Sequence, residues 1–295
     1  MLGDSRERVL MNNKFYTSRY DRLFKKIFFK EEDHDLLEEL IKEITSLVIC
    51  VEKIVNCELP ITDIFEKEKR VDGIIDTTKE RIHIEINSDT KDYYRMRNFL
   101  YFVAIMLEDI KRGKNYNHKK KYIHISLDFS DKNHLQNITK YRCYDVINKV
   151  ATVKNITLYY VNVSRIKRIC NEKKDLQKEY ALLYALDLGK EELMKFAERT
   201  DNKMVKKYKD EITKLNDDTI VIKSLTYEED REMLMNAIKE DYLEEGRELG
   251  VKEGQNQTKL ETAKKLLEMN MSLDDIVNVT GLNKKNVIKI KSCMI

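Results

Sequence analysis

Tryptophan is absent from the 295-residue chain and proline occurs once. With only eight glycines beside them, little interrupts a helix, and long continuous helices are expected. No apolar run is long enough to span a bilayer, and Met1 to Arg8 hold no apolar core of a leader, so neither secretion nor membrane insertion is expected. Five cysteines, Cys50, Cys57, Cys143, Cys170 and Cys293, are odd in number and nowhere form Cys-x-x-Cys. That argues against a zinc site or a disulfide framework and for a reducing cytoplasm. The five histidines lack metal-ligand spacing. No Ser-His-Asp order, phosphate-cradling glycine loop or nucleotide fingerprint is present, so no small-molecule cofactor is expected. An excess of either charge is missing as well: 55 Lys and Arg face 52 Asp and Glu, a formal +3. Any polyanion must therefore be held by local patches.

What is present is centred on Arg70 to Tyr116. Arg70 to Asp76 and Arg81 to Asn87 read as two strands joined by the polar, hairpin-sized Thr77-Thr78-Lys79-Glu80. In the second strand Ile82, Ile84 and Ile86 alternate with His83, Glu85 and Asn87, which puts Glu85 and Asn87 on one face. Asp72 and Glu85 then approach across an antiparallel pair. With the backbone carbonyl of Ile86 they form an oxygen-rich pocket suited to Mg2+, or Mn2+ in its place, able to polarise a phosphodiester and activate a water. Asp76, on the face of Asp72, is the alternative ligand, and His83 reads as a solvent-facing strand residue.

Before this hairpin, Leu23, Phe24, Ile27 and Phe28 recur at helical spacing, with Asp21 and Lys25 read as a solvated face. A second helix runs through Leu36 to Ile44, and a β-rich stretch from Leu47 to Leu59. After it, Ser88 or Asp89 is placed to cap a helix through Tyr93 to Leu107. Its Lys91, Arg95 and Arg97 lie where a crossover brings cations near a phosphate at the acid pair. Lys111 to Lys121, including Lys114, Lys119, Lys120 and Lys121, hold no acid and read as a phosphate-contacting loop or a solvated turn. Strands are expected over Tyr122 to Leu127 and Ile156 to Val163.

From Lys173 onward the pattern is helical. Thr226-Tyr227-Glu228-Glu229 has the form of a capping box opening a helix. Gly246, Gly250 and Gly254 read as a flexible connector. Two short helices around Thr280-Gly281-Leu282 suggest a helix-turn-helix, with Lys284, Lys285, Lys289 and Lys291 on the second.

Asp72, a hairpin, then Glu85-x-Asn87, set among Tyr20 to Phe28, Asn56-Cys57-Glu58-Leu59, Arg97 to Tyr101, Gly113 to Tyr116 and the late glycines, resembles the Rpn group. These are recombination-promoting nucleases or transposases of the PD-(D/E)XK superfamily, and the resemblance runs from about Asp21 to Ile290. It implies Asp72 as first acid, Glu85 as second, Asn87 at the lysine position, Glu58 near the pair as a further metal ligand, and Asp21 and Lys25 as a polar helix end near the site, against the favoured reading of a solvated face. Asparagine departs from the superfamily's lysine, because a neutral amide orients water without neutralising charge.

The expected fold is α/β: a PD-(D/E)XK nuclease-like core of mixed sheet and flanking helices over residues 15–170, a helical extension with the glycine connector over 171–258, and a small helical module over 259–295. The resemblance implies Mg2+-dependent endonucleolytic cleavage of DNA in recombination or mobile-element biology. Asp72, Glu85, Ile86 and Glu58 would be at the metal, Asn87 at the water, and Lys91, Arg95 or Arg97 at the scissile phosphate. A nuclease fold without turnover that binds DNA or a protein partner is the alternative, and a homodimer is an open possibility for either.

Overall fold

The computed structural model describes residues 14–55, 58–59, 69–70, 72–88, 92–108, 120–130, 136–145, 147–148 and 150–292. The chain divides into two compact units, Met1–Leu225 and Thr226–Ile295. Among the described residues, no helix is long and apolar enough to cross a membrane.

The first unit opens with α1 (Asp21–Phe28) and α2 (Asp35–Thr45). Their apolar residues fall at three- and four-residue spacing, and Leu23, Phe24, Ile27 and Phe28 of α1 are all buried. Short strands β1 (Lys53–Val55), β2 (Glu58–Leu59) and β3 (Lys69–Arg70) lead to the hairpin β4 (Gly73–Asp76) and β5 (Glu80–Asn87). A crossover helix, α3 (Asp92–Glu108), returns the chain to β6 (Lys121–Asp128), followed by β7 (Ile138–Tyr144) and β8 (Ala151–Asn162). The six-stranded order is β1-β4-β5-β6-β8-β7, while β2 and β3 form a separate antiparallel pair. The sheet is parallel over β5, β6 and β8 and antiparallel at both ends.

Period two sorts the central strands. Ile82, Ile84 and Ile86 of β5, Ile123, Ile125 and Leu127 of β6, and Tyr159 and Val161 of β8 join one large core. That core also takes residues from α4 (Val163–Glu172), α6 (Ala181–Ala185), α7 (Lys190–Arg199) and α8 (Lys203–Asp217), the short α5 (Leu176–Glu179) lying between them. Leu182, Leu183, Phe196, Val205, Tyr208 and Ile212 thus share one interior with the strands, and the boundary expected at residue 170 has no counterpart in the packing. The opposite sheet face is covered by α3, whose Ile105 packs on Ile74 and whose Phe102 stacks on His83. Both faces are therefore buried, the usual consequence of a crossover connection.

Helix α9 (Thr219–Glu268) runs without a break through Thr226-Tyr227-Glu228-Glu229, so that capping-box pattern marks no helix start. It also runs through Gly246, Gly250 and Gly254. A Cβ at any of them would meet nothing within 4 Å. Each glycine costs a helix about 1 kcal/mol relative to alanine, which the Glu-, Lys- and Leu-rich flanks offset. In the second unit Ala263 of α9 joins Ile276 of α10 (Leu273–Thr280) and Val287 of α11 (Lys284–Ser292) in a small separate core. Ser272 caps α10, its hydroxyl accepting from Asp275 N, and Gly281 closes it at φ 66°, a left-handed conformation in which a Cβ is strained.

Candidate active site

The turn between β4 and β5 is fixed by one side chain. Thr77 Oγ1 accepts from Lys79 N and Glu80 N and donates to Glu80 Oε2 at 2.8 Å, a local motif that makes a short polar turn rigid. The resulting register pairs Asp76 with Arg81 and Gly73 with Ile84, so Asp72 arrives beside Glu85. The two acids interlock through the main chain. Ile86 N donates to Asp72 Oδ2 at 2.8 Å and Asp72 N to Glu85 Oε1 at 3.4 Å. The hairpin thus brings the predicted pair together.

A third group joins them that the sequence reading had placed on a solvated helix face. Lys25 Nζ lies 2.9 Å from Asp72 Oδ1 and 2.8 Å from Asp21 Oδ2. The approach depends on Gly73: a Cβ there would sit 2.2 Å from Phe29 Cζ, so the absent side chain is the space that the Phe29 ring fills at the end of α1. Burial pulls Lys25 down in pKa, but the facing Asp72 and Asp21 outweigh it and the net direction is upward. Lys25 thus stays an ammonium. On the acidic side, burial first and Asp72 second push Asp21 up to about 7 and Glu85 up to about 8.

Behind Glu85 lies a buried polar layer built by the β5–β6 register, which pairs His83 with His124, Glu85 with Ser126 and Asn87 with Asp128. His83, expected to face solvent, is 1% exposed; its Nε2 is 2.8 Å from Glu85 Oε1. Burial holds it neutral, with a pKa lowered to about 3. Asn87 is 4% exposed. Its amide donates to Ser126 Oγ and Asp128 Oδ1, both at 2.8 Å, and its oxygen receives Asn98 Nδ2 at 3.3 Å. Both amide hydrogens of Asn87 are therefore engaged.

The remaining predicted residues separate. Arg97 Nη2 stands 3.9 Å from Glu85 Oε2, its guanidinium 4.6 Å from the Tyr94 ring centroid. Arg95 lies further along, over Tyr160 at 5.5 Å; with Asp128 nearby, it works against the burial that raises that acid's pKa. The backbone of Glu58 pairs with Arg70, just ahead of Asp72. Asp76 shares the face of Asp72 but sits at the hairpin end, about 13 Å along the strand. There it pairs with Lys120 at 3.0 Å. Lys121 likewise faces Glu80, at 3.7 Å, so both described lysines of the basic loop lie at the end of the sheet away from the acid pair. Lys91, Lys114 and Lys119 lie outside the described residues.

The donor set suits a hard divalent cation: carboxylate oxygens of Asp72 and Glu85 with the Ile86 carbonyl next to Glu85 in sequence, in a pocket where burial and mutual repulsion leave negative charge short of compensation. Among the described residues no three His, Cys, Asp or Glu side chains form a complete cage. Mg2+ needs none, because it commonly keeps waters and takes one or two carboxylates plus substrate phosphate.

Residues 18–241 match the family model described as PD-(D/E)XK nuclease family transposase. No curated protein and no solved structure matches the chain.

Proposed function

Because the chain belongs to the PD-(D/E)XK nuclease family of transposases, we propose that it cleaves DNA phosphodiester bonds endonucleolytically with Mg2+, Mn2+ serving as a substitute. The observation that carries this reading is the interlocked pair Asp72 and Glu85, with Lys25 at 2.9 Å. Asp72 and Glu85 would hold the cation, the Ile86 carbonyl would be a third oxygen, and Glu58 a candidate fourth. A cation bound there supplies Lewis-acid polarisation of the phosphodiester and lowers the pKa of a water.

The chain's own residues do the rest. Lys25, charged and partly solvent-exposed, presents an ammonium to the charge that develops on the phosphate, the task that a neutral amide at position 87 leaves undone. Arg97, 3.9 Å from Glu85 Oε2, can clamp a non-bridging oxygen, its guanidinium steadied over Tyr94. Asn87 has its hydrogens committed to Ser126 and Asp128, so any contact with a water passes through its oxygen. Arg95, whose charge opposes the effect of burial on Asp128, is the alternative cation for the phosphate. A cytoplasmic setting suits the scattered thiols.

A second reading, DNA binding without turnover, is favoured by the engaged amide of Asn87 at the lysine position. Supercoiled plasmid separates the two. Nicking by the full chain in Mg2+ or Mn2+ that stops in EDTA supports the nuclease. Plasmid left intact in both metals but shifted on a gel supports the binding protein.

A further inference from the structure

We propose that His83 and His124 are positioning residues, a two-imidazole relay that aims Glu85 from behind, with His124 held in the less common Nδ1–H tautomer. The proposal rests on the reading of Glu85 as a metal-holding carboxylate. His83 and His124 are register partners on β5 and β6, and both are almost fully buried. His83 Nε2 reaches Glu85 Oε1 at 2.8 Å, and its Nδ1 meets His124 Nδ1 at 3.0 Å. Beyond that the relay ends: His124 Nε2 is buried with no hydrogen-bond partner among the described residues. Phe102 and Tyr160 enclose its ring, with centroids at 5.5 Å and 5.8 Å.

That orphaned nitrogen fixes the proton positions. Each neutral imidazole carries one N–H, and a carboxylate engaged with a metal only accepts. His83 must then donate from Nε2, which leaves its Nδ1 as an acceptor. His124 must donate from Nδ1, and its Nε2 is left as a bare lone pair against aromatic rings. The opposite assignment would put an N–H at His124 Nε2 with no acceptor and set the two Nδ1 lone pairs against each other at 3.0 Å, losing a hydrogen bond as well as leaving a buried donor unmet. In the favoured arrangement the His83 ring is held at both nitrogens. Glu85 Oε1 is therefore pinned, while Oε2 stands 3.9 Å from Arg97 Nη2. Outer groups of this kind fix the orientation of a metal-holding side chain and typically change metal affinity by about 10–100-fold when removed.

The tautomers can be read directly from long-range 1H–15N correlation spectra of the full chain, with 15N-labelled histidine and saturating Mg2+. The expected pattern is Nε2–H at His83 and Nδ1–H at His124. A spectrum in which Mg2+ shifts both residues but His124 is Nε2–H overturns the relay alone. If Mg2+ leaves both sets of resonances unmoved, the metal reading of Glu85 fails, and the relay with it. Mn2+ affinity of the full chain gives a second readout. His83→Leu is expected to weaken binding about 10–100-fold, and His83→Gln, whose Nε2–H can still reach Glu85, to restore most of it. Equal affinity in His83→Leu and the wild type, or no rescue by glutamine, contradicts the positioning role.

Discussion

Replacing Lys25 with methionine keeps most of the side chain's length and removes only its charge. Two contacts disappear, at 2.9 Å to Asp72 and 2.8 Å to Asp21. At an effective dielectric of ~20, each is worth roughly 6 kcal/mol in gross Coulomb energy. Desolvation and partial exposure cancel most of that, so the stability change is expected to stay within about 1 kcal/mol. The effect on rate should be larger. An ammonium aimed at developing charge resembles an oxyanion-hole donor, whose loss lowers the rate about 10²–10³-fold. Metal affinity should move the other way, because the ammonium competes with a cation for Asp72 and its removal leaves three carboxylates less compensated. Single-turnover nicking and a Mn2+ titration followed by electron paramagnetic resonance measure the two quantities on one preparation. Slower nicking with equal or tighter Mn2+ binding is the expected split. Unchanged nicking, or joint loss of metal binding and nicking, refutes the role given to Lys25.

Three further outcomes follow from the packing. Gly73→Ala puts a Cβ where the Phe29 ring lies; an overpacking loss of about 1–3 kcal/mol is expected in urea unfolding, with slower nicking as α1 shifts Lys25 away from Asp72. Gly250→Ala adds a Cβ that meets nothing within 4 Å, so helix α9 should gain about 1 kcal/mol, measurable by far-UV circular dichroism on heating. Glu43 accepts from Leu182 N and Leu183 N, each at 2.9 Å, yet burial lifts it to about 7. Its proton is thus retained in the native state over a range where the unfolded chain, with the group near 4.5, has released it. Stability should fall as pH rises from about 4.5 to 7 and level off above. Because the residue keeps some solvent contact, we expect about 2 kcal/mol rather than the full shift. A urea series in which Glu43→Gln retains the whole wild-type slope would remove this assignment.

The hairpin and its acid pair were legible because period two assigns faces and a short polar turn sets register, so Asp72 and Glu85 follow from local sequence alone. The same rule misread His83. A polar residue alternating with isoleucines looks solvent-facing, but α3 lies over that face, and the polar residues of β5 and β6 satisfy one another instead. Period two also gave Asp76 the correct face while saying nothing of its distance along the strand. The placement of Lys120 and Lys121 was within reach: a loop that enters a strand parallel to β5 must lie at the end opposite Glu85 and Asn87. Lys25 was offered only by the family resemblance and set below a solvated face, since its meeting with Asp72 depends on a tertiary contact, Phe29 over Gly73, that no spacing encodes. Helix α9 runs through the three glycines read as a connector, whose spacing alone does not say whether the surrounding helix formers carry a helix across them.

The most direct test of the acid pair is the rate of plasmid nicking in Mg2+ by Asp72→Asn and Glu85→Gln beside the wild type, once DNA binding in Ca2+ has been shown to be equal for all three. The account predicts metal-dependent nicking by the wild type and a fall to the EDTA background in both variants. Nicking that persists at the wild-type rate in either variant would contradict it.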